Sequence, residues 1–132
     1  IISPSHPAET ENIMIEESDK TISCAPGTLQ IEVTTDQRLE TSNQVACLNA
    51  QEITFPLLLR KWKTGDYFYP LGMKKKKKLN RFLIDQKLSV TEKENTWVIE
   101  SNQRIIWVVG RRIDERYKVT EKTKSIRRIT RR

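Results

Sequence analysis

The chain has 132 residues, of which 36% are hydrophobic and 31% are charged, and its formal net charge is +7 at pH 7. This length suits one domain with a core of its own. No apolar run approaches the about 20 residues that a membrane-spanning helix needs, and no basic-then-apolar segment opens the chain as a secretory signal does. These features predict a cytoplasmic protein. Because the first residue is Ile1 rather than methionine, we expect an excised piece of a longer polypeptide.

Charge is distributed unevenly along the chain. Residues 1–59 carry nine acidic and two basic residues. Residues 60–93 carry eleven basic and three acidic residues, and residues 104–132 carry the same numbers. A basic later part of this kind is typical of a protein that binds a polyanion.

The two cysteines, Cys24 and Cys47, have no CxxC spacing, and the single histidine, His6, lies in a polar leader. A zinc site would need further ligands, so we predict no metal site. The favoured interpretation is two reduced, buried thiols in a cytoplasmic protein, and a disulfide stays open.

Residues 1–12 are rich in Pro, Ser and Glu, which predicts a linker or frayed leader ahead of a single domain at 13–132. Short segments then alternate apolar and polar residues, as half-buried strands do. Such segments occupy 13–16, 21–24, 29–34, 45–48 and 53–59. Pro26-Gly27 predicts a turn between the second and third of them.

The clearest helix candidate begins at Leu79. Together with Phe82 and Leu83 it gives the i, i+3, i+4 spacing that places three apolar side chains on one helix face. We expect this helix to end near Leu88. Thr91-x-x-Glu94 is a candidate capping box for a further short turn.

More strands are predicted in the last third of the chain. Trp97–Glu100 and Ile105–Gly110 form a hairpin through the turn at 101–103. Residues 113–117 predict a helical turn or a loop, and residues 125–130 a last strand. Many strands with one main helix indicate an α+β domain.

An ordered series of motifs runs through the basic part of the chain. It consists of Gly65-Asp66, Pro70-Leu71-Gly72-Met73, Lys78-Leu79, Phe82-Leu83-x-Asp85-x-Lys87 and Ile106-Trp107-Val108-x-Gly110-x-Arg112-x-Asp114-x-Arg116. In order and spacing, this series resembles the C-terminal domain of tRNA(Ile)-lysidine synthetase. The resemblance covers roughly residues 55–120, and the residues before them fit the β-rich start of the same domain.

The resemblance implies both a fold and a function. The implied fold is a layered, β-rich α+β domain with a sandwich-like sheet and one main helix, similar to a domain of the phenylalanyl-tRNA synthetase β-subunit. Enzymes of the family use ATP to join L-lysine to the wobble cytidine in the CAU anticodon of an isoleucine tRNA. Their chemistry resides in an N-terminal catalytic domain with a Ser-Gly-Gly-x-Asp-Ser phosphate loop. Their C-terminal domain is expected to grip the tRNA acceptor stem.

The residues themselves indicate a binding domain without a catalytic site. The four glycines, Gly27, Gly65, Gly72 and Gly110, are isolated, so no glycine-rich loop is present to cradle a triphosphate. We therefore predict no catalytic residue and no cofactor in this chain. ATP with Mg is expected in the catalytic domain of the parent polypeptide. That domain and tRNA(Ile) are the expected partners, and a homodimer stays open.

The five lysines Lys74–Lys78, called the lysine loop below, are the first candidate RNA-binding site. In the family this turn usually includes a glycine before a basic pair, so the sequence specifies the charge of the loop better than its backbone shape. Cations just before a helix N-terminus disfavour the helix by a few tenths to about 1 kcal/mol. Phosphate contact would explain their presence, and a solvated loop that keeps the protein in solution is the alternative.

The candidate tRNA-binding residues are basic side chains in and around these motifs. They are Arg60, Lys61, Lys74, Lys75, Lys76, Lys77, Lys78, Arg81, Arg111, Arg112, Arg116 and Lys118. Trp62 is interpreted as a partly buried strand residue rather than a base-stacking platform, and Trp97 and Trp107 as core residues. Asp85 and Asp114 are interpreted as charge partners of neighbouring basic residues rather than catalytic carboxylates.

Other interpretations stay open. The C-terminal KSIRRITRR either adds to the RNA-binding surface or forms a basic edge strand that resists aggregation. A general RNA-binding or ribosome-associated module would carry similar charge. A membrane-surface module would use the lysines on anionic lipid, although the short apolar face at Leu79–Leu83 suits a protein core better.

Overall fold

A computed structural model describes residues 12–24, 27–35 and 44–131 of the chain. Within these ranges the strands are β1 (Ile13–Ile15), β2 (Thr21–Cys24), β3 (Gly27–Thr34), β4 (Val45–Asn49), β5 (Leu57–Lys61), β6 (Tyr67–Phe68), β7 (Lys77–Lys78), β8 (Trp97–Ser101), β9 (Arg104–Val108), β10 (Arg112–Ile113) and β11 (Ile126–Arg131). The α-helices are α1 (Leu79–Asp85) and α2 (Val90–Glu94), and 3-10 turns span Ala50–Glu52 and Glu115–Tyr117. None of these helices is long and apolar enough to cross a bilayer.

The strands form two antiparallel sheets and a short ribbon. One sheet has the order β1-β5-β8-β9-β10, and the other has the order β2-β3-β11-β4. β6 and β7 pair with each other as a two-stranded ribbon. Since β11 pairs with both β3 and β4, the last strand of the chain lies in the interior of the second sheet.

The main hydrophobic core lies between the two sheets. Along β8, Trp97 and Ile99 point into it while Val98 points to the opposite face, as the two-residue period of a strand requires. On β9 the neighbours Ile106 and Trp107 both join the main core. A register shift between β8 and β9, at Ile99 and Glu100, accounts for this, because a bulge inserts one residue and resets the alternation.

A second hydrophobic cluster covers the other face of the five-stranded sheet. It consists of Phe68, Leu79, Phe82, Leu83, Val98, Ile105 and Val108. The rings of Phe68 and Phe82 meet edge to face, with centroids 5.1 Å apart. The described domain therefore has three layers, which are the four-stranded sheet, the five-stranded sheet, and α1 with the β6–β7 ribbon. This confirms the predicted layered, β-rich α+β class, and it places the lysine loop on the outer layer.

The predicted helix is confirmed, with two corrections. It ends at Asp85 rather than near Leu88, because Lys87 has a positive φ of 59° that a helix does not tolerate. The second short helix, α2, is capped by a Ser89–Glu92 capping box rather than by the predicted Thr91–Glu94 pair. The Ser89 hydroxyl accepts from the Glu92 N–H at 3.1 Å, and the Ser89 N–H donates to the Glu92 carboxylate at 3.0 Å.

Most predicted strands are present, with shifted ends. The segment predicted at 53–59 is a strand only from Leu57, directly after Pro56, which lacks the N–H that a sheet ladder needs. The strand predicted to reach Gly110 ends at Val108. The 113–117 segment contains the predicted helical turn, preceded by β10. The Pro26 turn and the leader 1–11 lie outside the described residues.

The structure also shows the surroundings of two tryptophans, one cysteine and the C-terminal strand. Trp97 and Trp107 are buried, as predicted. Cys47 is a buried free thiol, as predicted, whereas the side chain of Cys24 lies outside the description. The alternative of a basic edge strand at the C-terminus is wrong, because β11 is paired on both sides. Its Arg127 is buried, with its guanidinium 4.6 Å from the centroid of the Phe55 ring.

Candidate nucleic-acid interface

The lysine loop is held at its C-terminal end by the β6–β7 ribbon. Lys77 and Lys78 pair with Phe68 and Tyr67, and the loop continues directly into α1. Lys74, Lys75 and Lys76 are exposed ahead of this ribbon, and the ammonium of Lys76 lies 4.8 Å from the centroid of the Tyr67 ring. The charges are therefore presented from an anchored segment.

Asp85 at the end of α1 organises two of the basic side chains. It accepts a hydrogen bond from the Lys77 ammonium at 2.5 Å and forms a 3.5 Å ion pair with Arg81. The hydrogen bond from Lys77 lowers the pKa of Asp85 below its ordinary value, and the charge of Arg81 adds to this. The predicted role of Asp85 as a charge partner is confirmed. Arg81 stays 71% exposed and available to a ligand.

The Pro70–Met73 turn joins the lysine loop to the second basic segment, defined as residues 111–118. Gly72 has a φ of +92°, and the Met73 N–H donates to the Pro70 carbonyl at 2.8 Å, as in a type II turn. The Gly72 N–H donates to a carboxylate oxygen of Glu115 at 2.8 Å. The Glu115 N–H in turn donates to the Tyr69 carbonyl at 2.6 Å. Two stretches about forty residues apart in the sequence are thus fastened side by side.

Asp114 is the buried centre of this junction. Its side chain has no solvent exposure, and it accepts from the Tyr69 N–H at 2.9 Å and from the Arg116 N–H at 2.8 Å. The Arg116 guanidinium binds it through Nε and Nη2, both at 3.0 Å. These hydrogen bonds raise the pKa of Arg116. Arg116 also lies 4.3 Å from the centroid of the Tyr69 ring, so its position is fixed from two sides.

Glu115 attracts two lysines, Lys118 and Lys74, to the surface beside this junction. Its carboxylate pairs with the Lys118 ammonium at 2.5 Å, and this hydrogen bond, with that of the Gly72 N–H, lowers the pKa of Glu115. Lys74 of the lysine loop lies close enough to add to the shift. Lys74 and Lys118 therefore belong to one surface.

Arg112 joins this surface through a different contact. Its guanidinium lies 5.4 Å from the centroid of the Phe82 ring of α1. The described Asp114 carboxylate pairs with Arg116 and not with Arg112, so the predicted role of Asp114 as a charge partner is met by Arg116. The basic interface, as used below, consists of the lysine loop, Arg81, Arg112, Arg116 and Lys118.

Two predicted residues lie apart from that surface. Arg111 is close enough to Glu92 of α2 to contribute to the lowered pKa of that carboxyl, whose main cause is its hydrogen bonds with Ser89. Lys61 lies 6.0 Å from the centroid of the Trp97 ring. Their described neighbours are therefore Glu92 of α2 and Trp97 of β8 rather than residues of the lysine loop.

Arg60 requires a correction. Its side chain is 10% exposed, and its guanidinium binds the carboxylates of Asp66 and Glu100. Burial alone lowers the pKa of Arg60, but the hydrogen bonds with these two carboxylates raise it overall. Since its charge is balanced and its donors are largely used, Arg60 holds the Gly65-Asp66 turn against the sheet rather than serving as a phosphate ligand.

Two aromatic residues that are not among the predicted site residues hold cations of the basic interface in place. Tyr67 and Tyr69 carry Lys76 and Arg116 on their ring faces. The signal was present in the sequence as three consecutive aromatic residues, Tyr67-Phe68-Tyr69, between the Gly65-Asp66 turn and the Pro70–Met73 turn. Trp62 is partly buried, as predicted, although it lies just beyond β5, and its indole N–H donates to the Lys93 carbonyl at 2.7 Å.

The family model described as "TilS substrate C-terminal domain" matches residues 57–129, which is more than half of the chain. The chain belongs to this family. The matched range of the TilS C-terminal domain contains the whole of the basic interface described above.

Individual relatives agree with this assignment. The "tRNA(Ile)-lysidine synthase" of Parabacteroides distasonis is 45% identical over 94 residues, which cover 71% of this chain and 22% of that protein. The protein of the same name from Bacteroides thetaiotaomicron is 39% identical over 95 residues, covering 72% of this chain and 22% of that protein. The chain thus spans about a fifth of the length of the curated relatives it matches.

A solved structure titled "Crystal structure of TILS C-terminal domain" supports the fold. It superposes with a TM-score of 0.76 over 91% of this chain and 95% of that chain, at 18% sequence identity. At this identity the likeness concerns the fold, and it covers a larger share of the chain than the 57–129 range of the family model.

Proposed function

We propose that this chain is the tRNA-binding C-terminal domain of a tRNA(Ile)-lysidine synthetase and that its basic interface grips the acceptor stem of tRNA(Ile). The observation that carries the proposal is the junction at Asp114 and Glu115. It fastens the lysine loop and the second basic segment into one surface. A duplex stem presents its phosphates at fixed positions, so a fixed array of cations suits it better than a mobile tail.

Two kinds of cation contribute to this surface. Lys74, Lys75 and Lys76 are exposed ammonium groups that act as point charges. Arg112 and Arg116 are guanidinium groups held over aromatic rings. The planar fork of Arg112 suits a phosphate held in one orientation, whereas Arg116 uses Nε and Nη2 for Asp114 and offers Nη1. The arginines would therefore set the register of the stem while the lysines raise the affinity.

The chemistry of the parent enzyme is proposed to occur elsewhere. By the name of its relatives and the family resemblance, the parent would ligate L-lysine to the wobble cytidine of the CAU anticodon, with ATP and Mg held in an N-terminal catalytic domain. We place the protein in the cytoplasm and treat residues 13–132 as one domain after a leader at 1–12. The similarity of its fold to a domain of the phenylalanyl-tRNA synthetase β-subunit, and homodimer formation, belong to the same proposal.

A binding titration tests the function. The chain is mixed with tRNA(Ile) at several salt concentrations, alongside a variant with Lys74, Lys75 and Lys76 changed to Ala. Each lost phosphate contact should flatten the log–log salt dependence by about 0.7–0.9 and weaken binding, with unfolding unchanged. Lys20→Ala, an exposed lysine on the β1–β2 loop, is the matched control and should have no effect.

A competition experiment distinguishes the proposed function from the alternative function. A general RNA-binding or ribosome-associated module would bind an unrelated RNA duplex as tightly as tRNA(Ile), and competition between the two RNAs measures this directly. If the triple lysine variant binds tRNA(Ile) with unchanged affinity and salt dependence, the lysine loop is not part of the interface and the proposal fails.

A further inference from the structure

A small polar pocket lies beside the basic interface, near the tip of the β8–β9 hairpin. It has a volume of about 90 Å³, and its lining includes three arginines, Arg60, Arg104 and Arg116, together with Gln103, Tyr67 and Asp66, whose carboxylate is paired with Arg60. A space of this size admits one tetrahedral anion. Arg104 and Gln103 are not among the residues assigned to the basic interface above.

The three arginines differ in how their charges are balanced. Arg60 is bound by Asp66 and Glu100, and Arg116 is bound by Asp114 through Nε and Nη2. Their guanidinium groups are therefore fixed in place. Arg104 is exposed, and among the described residues no carboxylate forms an ion pair with it. Its charge is the uncompensated one in the pocket.

The backbone holds Arg104 at a defined place. Asn102 and Gln103 form the two-residue hairpin turn with φ values of 51° and 68°, the conformation that suits the twist of a tight hairpin. Arg104 then pairs directly with Ser101 as the first residue of β9. Only the side chain of Arg104 needs to become ordered when a ligand binds, which limits the entropic cost.

The pocket is continuous with the basic interface. Tyr67 lines the pocket and also carries the Lys76 ammonium on its ring, and Arg116 lines the pocket while resting on Tyr69. Nη1 of Arg116 has no hydrogen-bond acceptor among the described residues, so it can still donate to a ligand.

We propose that this pocket binds a single phosphate group of the RNA, with Arg104 as the direct contact and Arg116 as its fixed companion. The inference rests on the proposed tRNA-binding function and adds a site to it. Guanidinium groups match phosphate through parallel N–H donors, and the pocket admits one such group. The phosphate is either the terminal one at the 5′ end of the RNA or an internal phosphodiester, since both offer the same oxygens.

The test compares the wild-type chain with Arg104→Ala and Arg104→Lys. Affinity for tRNA(Ile) is measured over a range of salt concentrations, with the RNA carrying either a 5′-phosphate or a 5′-hydroxyl. Arg104→Ala should weaken binding about tenfold, the worth of one charge-assisted hydrogen bond, and flatten the salt slope by about 0.7–0.9. Arg104→Lys should recover the slope but only part of the affinity, because an ammonium keeps the charge and loses the fork.

The comparison between RNA with a 5′-phosphate and RNA with a 5′-hydroxyl identifies the source of the phosphate. For a terminal phosphate, removing it weakens wild-type binding as much as Arg104→Ala does and has no effect on the alanine variant. For an internal phosphodiester, removing the 5′-phosphate changes nothing while Arg104→Ala still flattens the slope. Both results support the pocket.

The inference is overturned if Arg104→Ala keeps wild-type affinity and salt slope. If the triple lysine variant weakens binding in the same experiment, the proposed tRNA-binding function stands and the pocket alone is wrong. If wild-type protein shows no salt-dependent binding to tRNA(Ile), both fail. Lys20→Ala again serves as the control for the loss of one exposed positive charge.

Discussion

Replacing Asp114 by Asn tests whether the junction between the two basic segments is a structural anchor. The carboxylate is fully buried and accepts four hydrogen bonds, from the Tyr69 N–H, the Arg116 N–H and the Arg116 Nε and Nη2. Asparagine has the same shape but offers a single acceptor oxygen and no charge. The substitution therefore leaves the Arg116 guanidinium without its counter-charge and at least one buried N–H without an acceptor.

The magnitude follows from these losses. Breaking a buried ion pair by removing one partner costs about 3–5 kcal/mol, and an unsatisfied buried N–H costs about 1–3 kcal/mol. Because the Arg116 side chain is 32% exposed, water screens part of the lost pairing, and we expect a total near 3 kcal/mol. With a urea m-value of about 2 kcal/mol/M, the midpoint of unfolding falls by roughly 1.5 M.

Urea denaturation at pH 7, followed by tryptophan fluorescence, measures this change. Asp85→Asn is the matched control, since its carboxylate pairs with Lys77 and Arg81 on the surface, where such pairs contribute about 0–1 kcal/mol. The reasoning is refuted if Asp114→Asn destabilises the fold no more than Asp85→Asn does. The folded fraction of Asp114→Asn should also bind tRNA(Ile) less tightly, because Arg116 is then free to leave Tyr69.

Three further predictions concern separate parts of the domain. Arg60→Ala should lower the free energy of unfolding by about 3 kcal/mol, because it leaves two poorly exposed carboxylates without their cation. The same variant should leave the salt dependence of tRNA binding unchanged, and a flatter salt dependence would show that Arg60 contacts the RNA. Ser89→Ala should cost about 1 kcal/mol by removing the cap of α2, whereas Thr91→Ala should be nearly neutral, and equal losses in thermal unfolding would contradict the observed capping box. The hydrogen bond with Lys118 lowers the pKa of Glu115 in the folded state. The ionised Glu115 carboxylate therefore stabilises the fold above the ordinary pKa of 4.5, and this stabilisation is lost as the pH falls through the lowered pKa. The stability difference between wild type and Glu115→Gln should therefore shrink between pH 6 and pH 3, and a constant difference in urea midpoints would exclude this linkage.

Local patterns predicted the elements of this fold well. Leu79, Phe82 and Leu83 were correctly placed on one helix face, because a helical period can be read from a few neighbouring residues. The strands around Trp97 and Trp107 are likewise predicted from neighbouring residues, through the alternation of apolar and polar side chains. The ends of elements depended on single residues, such as the left-handed Lys87, whose conformation the apolar pattern does not encode.

Long-range partners explain what the sequence could not predict. Arg60 was assigned to the RNA because it lies in a basic run, but its partner Glu100 is forty residues away on the neighbouring strand. β11 was open to interpretation as an edge strand, because sheet order depends on pairing with β3 and β4 from the first half of the chain. The clustering of Arg116, Lys74 and Lys118 depends in the same way on the contact between residues 69–72 and 113–115. Charge can be read from a sequence, but whether a charge is neutralised depends on tertiary contacts.

The position of the lysine loop carries a cost in stability that argues for selection on binding. Lys78 is the N-cap residue of α1 and makes no side-chain cap hydrogen bond, where Ser, Thr, Asp or Asn would stabilise the helix by about 1 kcal/mol. The lysines before it also oppose the positive end of the helix dipole. The helix is retained because Leu79, Phe82 and Leu83 are buried against the five-stranded sheet, and each such side chain contributes about 1.5–3 kcal/mol. Apolar packing thus offsets an unfavourable cap, and the cations are free to face a phosphate backbone from a rigid support.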